Sequence, residues 1–457
     1  MSDAAPSPTF RDPAGSLRLE GDHAIRTLHT ASQEAALVFV ASSFAKRLEA
    51  RGDMVSSTVE NQGEEILLLH PRLAIPTYPW EWTPSQWLAA ADLTLALGEE
   101  AVDEGWVLKD ATPLNILFNG PKPVLVDVLS FDPRDPQSSI WLAYGQYVRT
   151  FLLPLLVHKL LHWPLELTLF RRDGYEPSEI VDALSLRQKF LPSVLWSVTL
   201  PAWLDRKKSS GVSQPAERKF EAGAAAHILK RTMASLRKRT RASLPESVAS
   251  EWSDYTAALT HYTAEQSADK LAWVRAVLAE TKPSRVLDIG ANTGEFSSLA
   301  AESGAEVVAL ERDAAAADRL YKRSVAKKLP ILTIHADLAR PTPAAGWQNA
   351  EQSSLLHRLT GQFDLVLMLA VIHHLILMEQ IPIPAIMDLA HRLTRQYLIL
   401  EWVPVTDPMF QSLMRGRDAL YGALQEADLL HACTDRFSVL QRHVLGNGRI
   451  LFLLKRL

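Results

Sequence analysis

The chain has 457 residues, 47% hydrophobic and 22% charged, which is enough to bury ordinary globular cores in two or three domains. Its net charge of −4 gives no global attraction to nucleic acid or to an anionic membrane. One cysteine, Cys433, excludes an internal disulfide framework and a metal site built on cysteines, and it fits a reducing, cytoplasmic setting.

The first fifteen residues lack a basic start followed by an apolar core, so no secretory signal is expected. Residues 1–20 read as a disordered tail. The two most apolar runs, Phe151 to Leu167 and Asp364 to Met378, are broken by ionisable residues or proline. Both fall short of the roughly 20 residues that span a bilayer, and no transmembrane segment is expected.

An α+β domain is expected over residues 21–204. Ser85 to Glu104 reads as a long amphipathic helix with Ser85 as its N-cap. The apolar runs "NILF" and "PVLVDV" follow, joined by Asn119-Gly120, a strong hairpin signal. The loop before them, "KDATPLN", carries Asp110 and Asn115, and Asp127 comes twelve positions after Asn115. This order resembles the C-lobe core of protein kinases and small-molecule phosphotransferases. The resemblance implies Asp110 as base, with Asn115 and Asp127 on metal. The departures are that Leu108 stands where the loop's histidine would be, Val-Leu follows Asp127 in place of Phe-Gly, and no glycine-rich phosphate loop lies upstream. A degenerate kinase-like scaffold is therefore expected over an active phosphotransferase, with acids that merely cap turns as the alternative. The helices after it, interrupted by Pro154 and Pro164, read as ordinary core.

Residues 205–250 read as a basic linker and helix. From Asp205 to Arg241 there are eleven Lys or Arg against three acids, and Ala216 to Thr240 is rich in helix formers. A solvated connecting helix is expected. Phe220 alone interleaves with these charges, so no nucleic-acid partner is expected.

The remaining domain is expected over residues 251–457. "SADKLAWVRAVLAET" places Leu271, Val274, Val277 and Leu278 on one helical face, and Lys282-Pro283-Ser284 ends that helix. "RVLDI" then reads as a strand buried on both faces, with Asp288 near its end. In "GANTG", Gly290 and Gly294 permit a tight turn. The next strand, "EVVAL", ends in Glu311, where a carboxylate can accept both hydroxyls of a ribose. Asn292 occupies the place of a dinucleotide motif's middle glycine. An acid beside the turn suits a cationic ligand, with an amino group and a sulfonium, better than a diphosphate.

These residues resemble the class I S-adenosylmethionine-dependent methyltransferases. The resemblance rests on five ordered segments, "VLDIGANTG", "VVALERD", "IHADL", "FDLVLMLAVIHHL" and "YLILEWVP". It implies an α/β fold, a Rossmann-like seven-stranded domain, with S-adenosyl-L-methionine as cofactor. The cofactor residues it implies are Asp288, Gly290, Asn292, Gly294, Glu311 on the ribose, Asp337 at the adenine amino group, Leu338, and Ala370 near the transferred methyl. A chain with a kinase-like front and such a domain behind is similar to bacterial nodulation-type methyltransferases. That likeness implies transfer to an oxygen of a small-molecule or glycan-type acceptor.

Transfer from a sulfonium needs alignment, exclusion of water and, for a hydroxyl acceptor, a base. His373 and His374 follow the fourth strand, and imidazole titrates near neutrality. Glu401, at the end of "YLILEW", is a further candidate, as base or as the group that orients a histidine. Packing, capping or ion pairing is the alternative role for each of the three. Ubiquinone-pathway O-methyltransferases carry an E-x-x-E-H pattern at this place. Here residues 370–374 read Ala-Val-Ile-His-His, so no metal is expected. Arg415 and Arg417 are candidates to clamp an anionic acceptor, and Tyr255, His261 and Tyr262 to close over the cofactor. Two rival functions stay open: a cofactor-binding regulatory protein without turnover, and a bifunctional protein with an ATP-dependent phosphotransferase half.

Overall fold

The computed structural model describes residues 12–63, 65–207, 219–246 and 262–457. The chain divides into two compact units, Met1–Ser247 with Ala344–Gln352, and Val248–Pro343 with Ser353–Leu457.

The first unit opens with a four-stranded antiparallel sheet of order β1-β2-β4-β3. Its strands are β1 (Gly15–Glu20), β2 (His23–Leu28), β3 (Thr58–Gln62) and β4 (Glu65–Pro71), with helices α1 (Thr30–Ala41) and α2 (Ser43–Arg51) between β2 and β3. Residues 15–20, expected in a disordered tail, thus form β1, because the run Gly15 to Glu20 pairs along its whole length with His23 to Leu28. Residues 1–11 of that tail lie outside the described residues.

Helix α3 (Pro84–Asp103) begins one residue earlier than expected, and Thr83, not Ser85, caps it. Pro84 has no N–H to leave unsatisfied and suits the first helical position. The Thr83 hydroxyl accepts from Gln86 N at 3.3 Å, and the Gln86 side chain accepts from Thr83 N at 3.0 Å. The short strands β5 (Trp106–Leu108) and β8 (Phe131–Pro133) pair with each other. Between them lies the expected hairpin, β6 (Ile116–Asn119) with β7 (Lys122–Leu125). Its connection is Gly120-Pro121, and the left-handed backbone of Gly120 (φ 56°) turns the chain.

The basic connector is a correction. Helix α4 (Ala222–Ala242) is no solvated link but belongs to the first unit and packs along α3. Ala225, Leu229, Met233, Leu236 and Thr240 form its buried stripe, at helical spacing. Gly98 of α3 makes the approach possible, since a Cβ there would stand 3.2 Å from the Met233 sulfur. The cations of α4 face acids of α3: Arg237 bonds both Glu99 oxygens at 2.9 Å, Arg241 reaches Asp92 at 3.0 Å, and Lys230 pairs with Asp103. Three of the cations that stand out in the local sequence are therefore matched by acids of α3.

The second unit holds a seven-stranded sheet of order β11-β10-β9-β12-β13-β15-β14. The parallel strands are β9 (Arg285–Ile289), β10 (Glu306–Glu311), β11 (Ile331–His335), β12 (Phe363–Met368) and β13 (Thr394–Trp402). β14 (Phe437–Val444) and β15 (Ile450–Arg456) close one side antiparallel. Near-continuous Val, Ile and Leu runs suit these central strands, which are covered on both faces. Helices α5 (Ala264–Thr281), α6 (Glu295–Glu302), α7 (Ala314–Lys327), α8 (Ile372–Leu377) and α9 (Ile383–Leu393) complete the layers. The strand order reverses between β9 and β12, and open α/β sheets bind their ligands at that switch point, beyond the carboxyl ends of the strands.

Candidate active site

A cavity lies at that switch point, lined by residues from the ends of β9, β10, β11 and β12 and from helix α5. Asp288, Gly290, Asn292, Glu311, Asp337, Leu338, Ala370 and His374 all line it. Gly294, His373 and Glu401 do not.

The glycine turn is closed on itself. Gly290 N and Ala291 N both donate to Leu310 O, at 2.9 and 3.1 Å, and Gly294 N donates to Ala291 O at 2.9 Å. Asn292 N donates to the Glu311 carboxylate at 2.7 Å, and Thr293 N to the Asn292 side chain at 2.6 Å. Five successive backbone donors are thus satisfied by protein oxygens, the opposite of a diphosphate cradle, whose amides point at the ligand. Gly290 and Gly294 serve packing. A Cβ on Gly290 would lie 2.6 Å from Val371 Cγ2, and one on Gly294 would lie 2.7 Å from Leu320 Cγ. Gly294 shapes the start of α6 without touching the cavity.

The acids do face it. Burial pushes the Asp288 carboxyl up to about 6, against a Ser297 hydroxyl that donates to it at 2.5 Å. Burial also raises Glu311, opposed by N–H donors from Asp313, at 2.8 Å, and Asn292. Those bonds fix the plane of the Glu311 carboxylate. Asp337 is held by Ala339 N at 2.8 Å and by Arg340 at 3.1 Å.

The two histidines point differently. His373 is buried and away from the cavity, with its ring centroid 4.2 Å from that of His374. The His374 ring lines the cavity beside Ala370, Val371 and Leu375. Ala370 adopts a left-handed backbone (φ 55°) at this strand-to-helix junction. Burial, reinforced by the positive charges of Arg312 and Arg449, lowers the His374 imidazole to about 4, so it is neutral at pH 7.

Glu401 is not available as a base. Lys270 Nζ bonds it at 2.6 Å, Arg449 reaches it at 3.4 Å, and the Tyr262 hydroxyl donates to it. Burial works to raise its carboxyl, but Lys270 and Arg449 outweigh that and hold it below the usual carboxylate range. Arg449 is itself fully buried and also grips Asp407, at 2.8 and 3.2 Å. Tyr262 is thereby tied into the core while it lines the cavity. Tyr255 and His261, grouped with it from the sequence, lie outside the described residues. Arg417, a candidate anion clamp, instead donates to the carbonyls of Leu377, Leu413 and Met414.

Lys270 was missed by sequence reasoning. It lines the cavity and is buried, with Nζ 4.9 Å from the centre of the Phe296 ring and 5.1 Å from that of Tyr262. Its signal was a lysine four and seven positions before Val274 and Val277, on the apolar face of α5.

In the first unit, Asp110, Asn115 and Asp127 do come near one another. Asn115 Nδ2 donates to Asp127 Oδ2 at 3.5 Å and to Ser130 Oγ at 3.0 Å. Burial, with the charge of Asp127 next, raises the Asp110 carboxyl. The metal that a phosphotransferase reading implies does not fit this set. Both Asp127 oxygens already accept from the protein, Oδ1 from Arg26 at 3.0 Å and Oδ2 from the Ser130 hydroxyl at 2.7 Å. Among the described residues no group of three His, Cys, Asp or Glu is disposed to hold a metal ion.

Residues 259–429 match a family described as a methyltransferase domain. Over 476 aligned positions the chain is 29% identical to nodulation protein NoeA of Rhizobium meliloti, covering 99% of this chain and 97% of that one. Among solved structures it is similar to the N-methyltransferase NodS from Bradyrhizobium japonicum, 15% identical, over 42% of this chain and 97% of that one, with a TM-score of 0.32. It is also similar to magnesium protoporphyrin IX methyltransferase from Synechocystis with bound SAH, 19% identical, over 42% and 84%, with a TM-score of 0.31. Both scores fall below 0.5, and the assignment does not rest on them. It rests on the family match and on strand-end acids around a closed turn, which fit a cationic nucleoside. The C-terminal unit is a class I S-adenosylmethionine-dependent methyltransferase domain, and the chain is an enzyme of that class.

Proposed function

We propose that this domain transfers the methyl group to an oxygen of a small-molecule or glycan-type acceptor, with His374 as general base. The observation that carries the reading is a neutral imidazole on the cavity wall at the end of β12. Bound S-adenosylmethionine supplies an activated methyl on a sulfonium. Glu311 would hold the ribose hydroxyls, Asp337 the adenine amino group, Asp288 the methionyl ammonium, and Lys270 the methionyl carboxylate. Leu369, Val371 and Leu375 give that end an apolar wall that excludes water. His374 would take the acceptor's hydroxyl proton as the oxygen bonds to the methyl carbon, the carbon–sulfur bond breaking so that the sulfur leaves as a neutral thioether.

The cytoplasm is the proposed location, in keeping with the single buried thiol of Cys433. Among the described residues no helix is long and apolar enough to cross a membrane.

The test uses adenosylmethionine tritiated in its methyl group, incubated with the protein and with fractionated acceptor extracts. His374→Ala should lower turnover by about 100-fold or more while calorimetric affinity for the cofactor stays unchanged. Loss of affinity together with turnover would assign His374 a packing role. Cofactor binding with no label transferred to any fraction would favour the regulatory reading.

A further inference from the structure

The first unit assembles an acid cluster around a buried cation of its own. Arg26, on β2, is only 4% exposed. Its guanidinium reaches Asp127 Oδ1 at 3.0 Å with one terminal nitrogen and Asp12 Oδ2 at 2.9 Å with the other. The remaining oxygens are also engaged. Asp12 Oδ1 accepts from Ala14 N at 2.8 Å, and Asp127 Oδ2 accepts from Ser130 and Asn115. A hard divalent cation binds through free oxygen ligands, and two carboxylates held close together repel unless a positive charge stands between them. One guanidinium meets that requirement for both acids, and its planar fork fits two carboxylates.

We infer that Arg26 stands as a resident cation between Asp12 and Asp127, so that this constellation assembles without a metal ion and without a nucleotide. Its consequence is mechanical. Arg26 lies on β2 of the four-stranded sheet, and Asp127 follows the β6–β7 hairpin, so the ion pair ties those two parts of the unit together. The first unit is then a scaffold in which Arg26 joins the sheet to the hairpin.

Calorimetric titration of the full chain with Mn2+ alone and with Mg2+ and ATP tests this. The wild-type protein should give no saturable heat with either, while adenosylmethionine gives heat in the same preparation. Arg26→Gln should acquire saturable Mn2+ binding, because the carboxylates of Asp12 and Asp127 then lack their shared cation. Arg26→Gln combined with Asp127→Asn should lose it again. Saturable binding of Mn2+ or of Mg2+ and ATP by the wild type, abolished by Asp127→Asn, would overturn the inference. A folded Arg26→Gln that binds no Mn2+ would overturn it as well. Should Arg26→Gln fail to fold by circular dichroism, Arg26→Lys keeps the charge. It should fold and stay insensitive to Mn2+, and Mn2+ binding by that variant would contradict the proposal.

Discussion

Two regions of this molecule gather acids of the same types at the ends of strands, with opposite results. At the ends of β9, β10 and β11, Asp288, Glu311 and Asp337 line a cavity, and the hydrogen bonds they receive fix their orientation. In the first unit, Asp127 and Asp12 close on the buried Arg26 guanidinium. The same contrast recurs inside the second unit. Glu311 and Glu401 both end parallel strands, yet Glu311 faces the cavity while Glu401 is closed behind it by Lys270 and Arg449. A carboxylate serves the fold where a buried cation closes on it, and stays open to a ligand where none does.

The sharpest break of this comparison is Glu401→Ala. It leaves Lys270 and Arg449 buried without their shared carboxylate, and should cost about 3–5 kcal/mol in chemical denaturation. A cost near zero would mean that Glu401 is less confined than its contacts indicate. Glu311→Ala should weaken adenosylmethionine binding by about 10- to 100-fold and cost about 1–3 kcal/mol in stability, since Asn292 N and Asp313 N lose their acceptor, whereas Asp127→Ala should leave cofactor affinity untouched.

Lys270→Met should weaken adenosylmethionine and its demethylated product alike, by about tenfold, and should not affect 5′-methylthioadenosine, which lacks the amino-acid end. Equal loss for all three ligands would show that Lys270 shapes the pocket in place of holding the carboxylate.

The smallest effect is one of pH. Above about 6 the Asp288 carboxyl is ionised and attracts the cationic cofactor; as pH falls through 6 it protonates. Affinity should drop by up to about tenfold at pH 5, and Asp288→Asn should flatten the profile measured by calorimetry. Without cofactor, the two perturbed groups act in opposite directions. Asp288 holds an extra proton in the folded state, so its contribution to stability falls as pH rises from about 4 to 6. His374 resists protonation when folded, so its contribution falls as pH drops from about 6.5 to 4.

Much of the cofactor end was legible in the sequence because it is local. A β-branched run, a glycine turn and an acid at the tip of the next strand are each read within a few residues. The acid and glycine positions at the ends of β9, β10, β11 and β12 come to one cavity, except that Gly294 serves packing against Leu320. The misjudged features depend on distant partners. The basic run of α4 looked free because Asp92, Glu99 and Asp103 lie more than a hundred positions earlier. Glu401 looked like a base because Lys270 and Arg449 stand 131 and 48 positions away. Two adjacent histidines could not be told apart, since only the turn at Ala370 and Val371 decides which ring meets the cavity.

By itself, the sequence determined the class of the second unit and the type of ligand its turn accepts. Strand periodicity, the turn residues and an acid in place of a phosphate cradle are properties of short segments. Tertiary structure alone decided which charges remain for chemistry. A carboxylate's role depends on whether a cation is buried against it, and Arg26, Lys270 and Arg449 reach their partners only once the chain has folded.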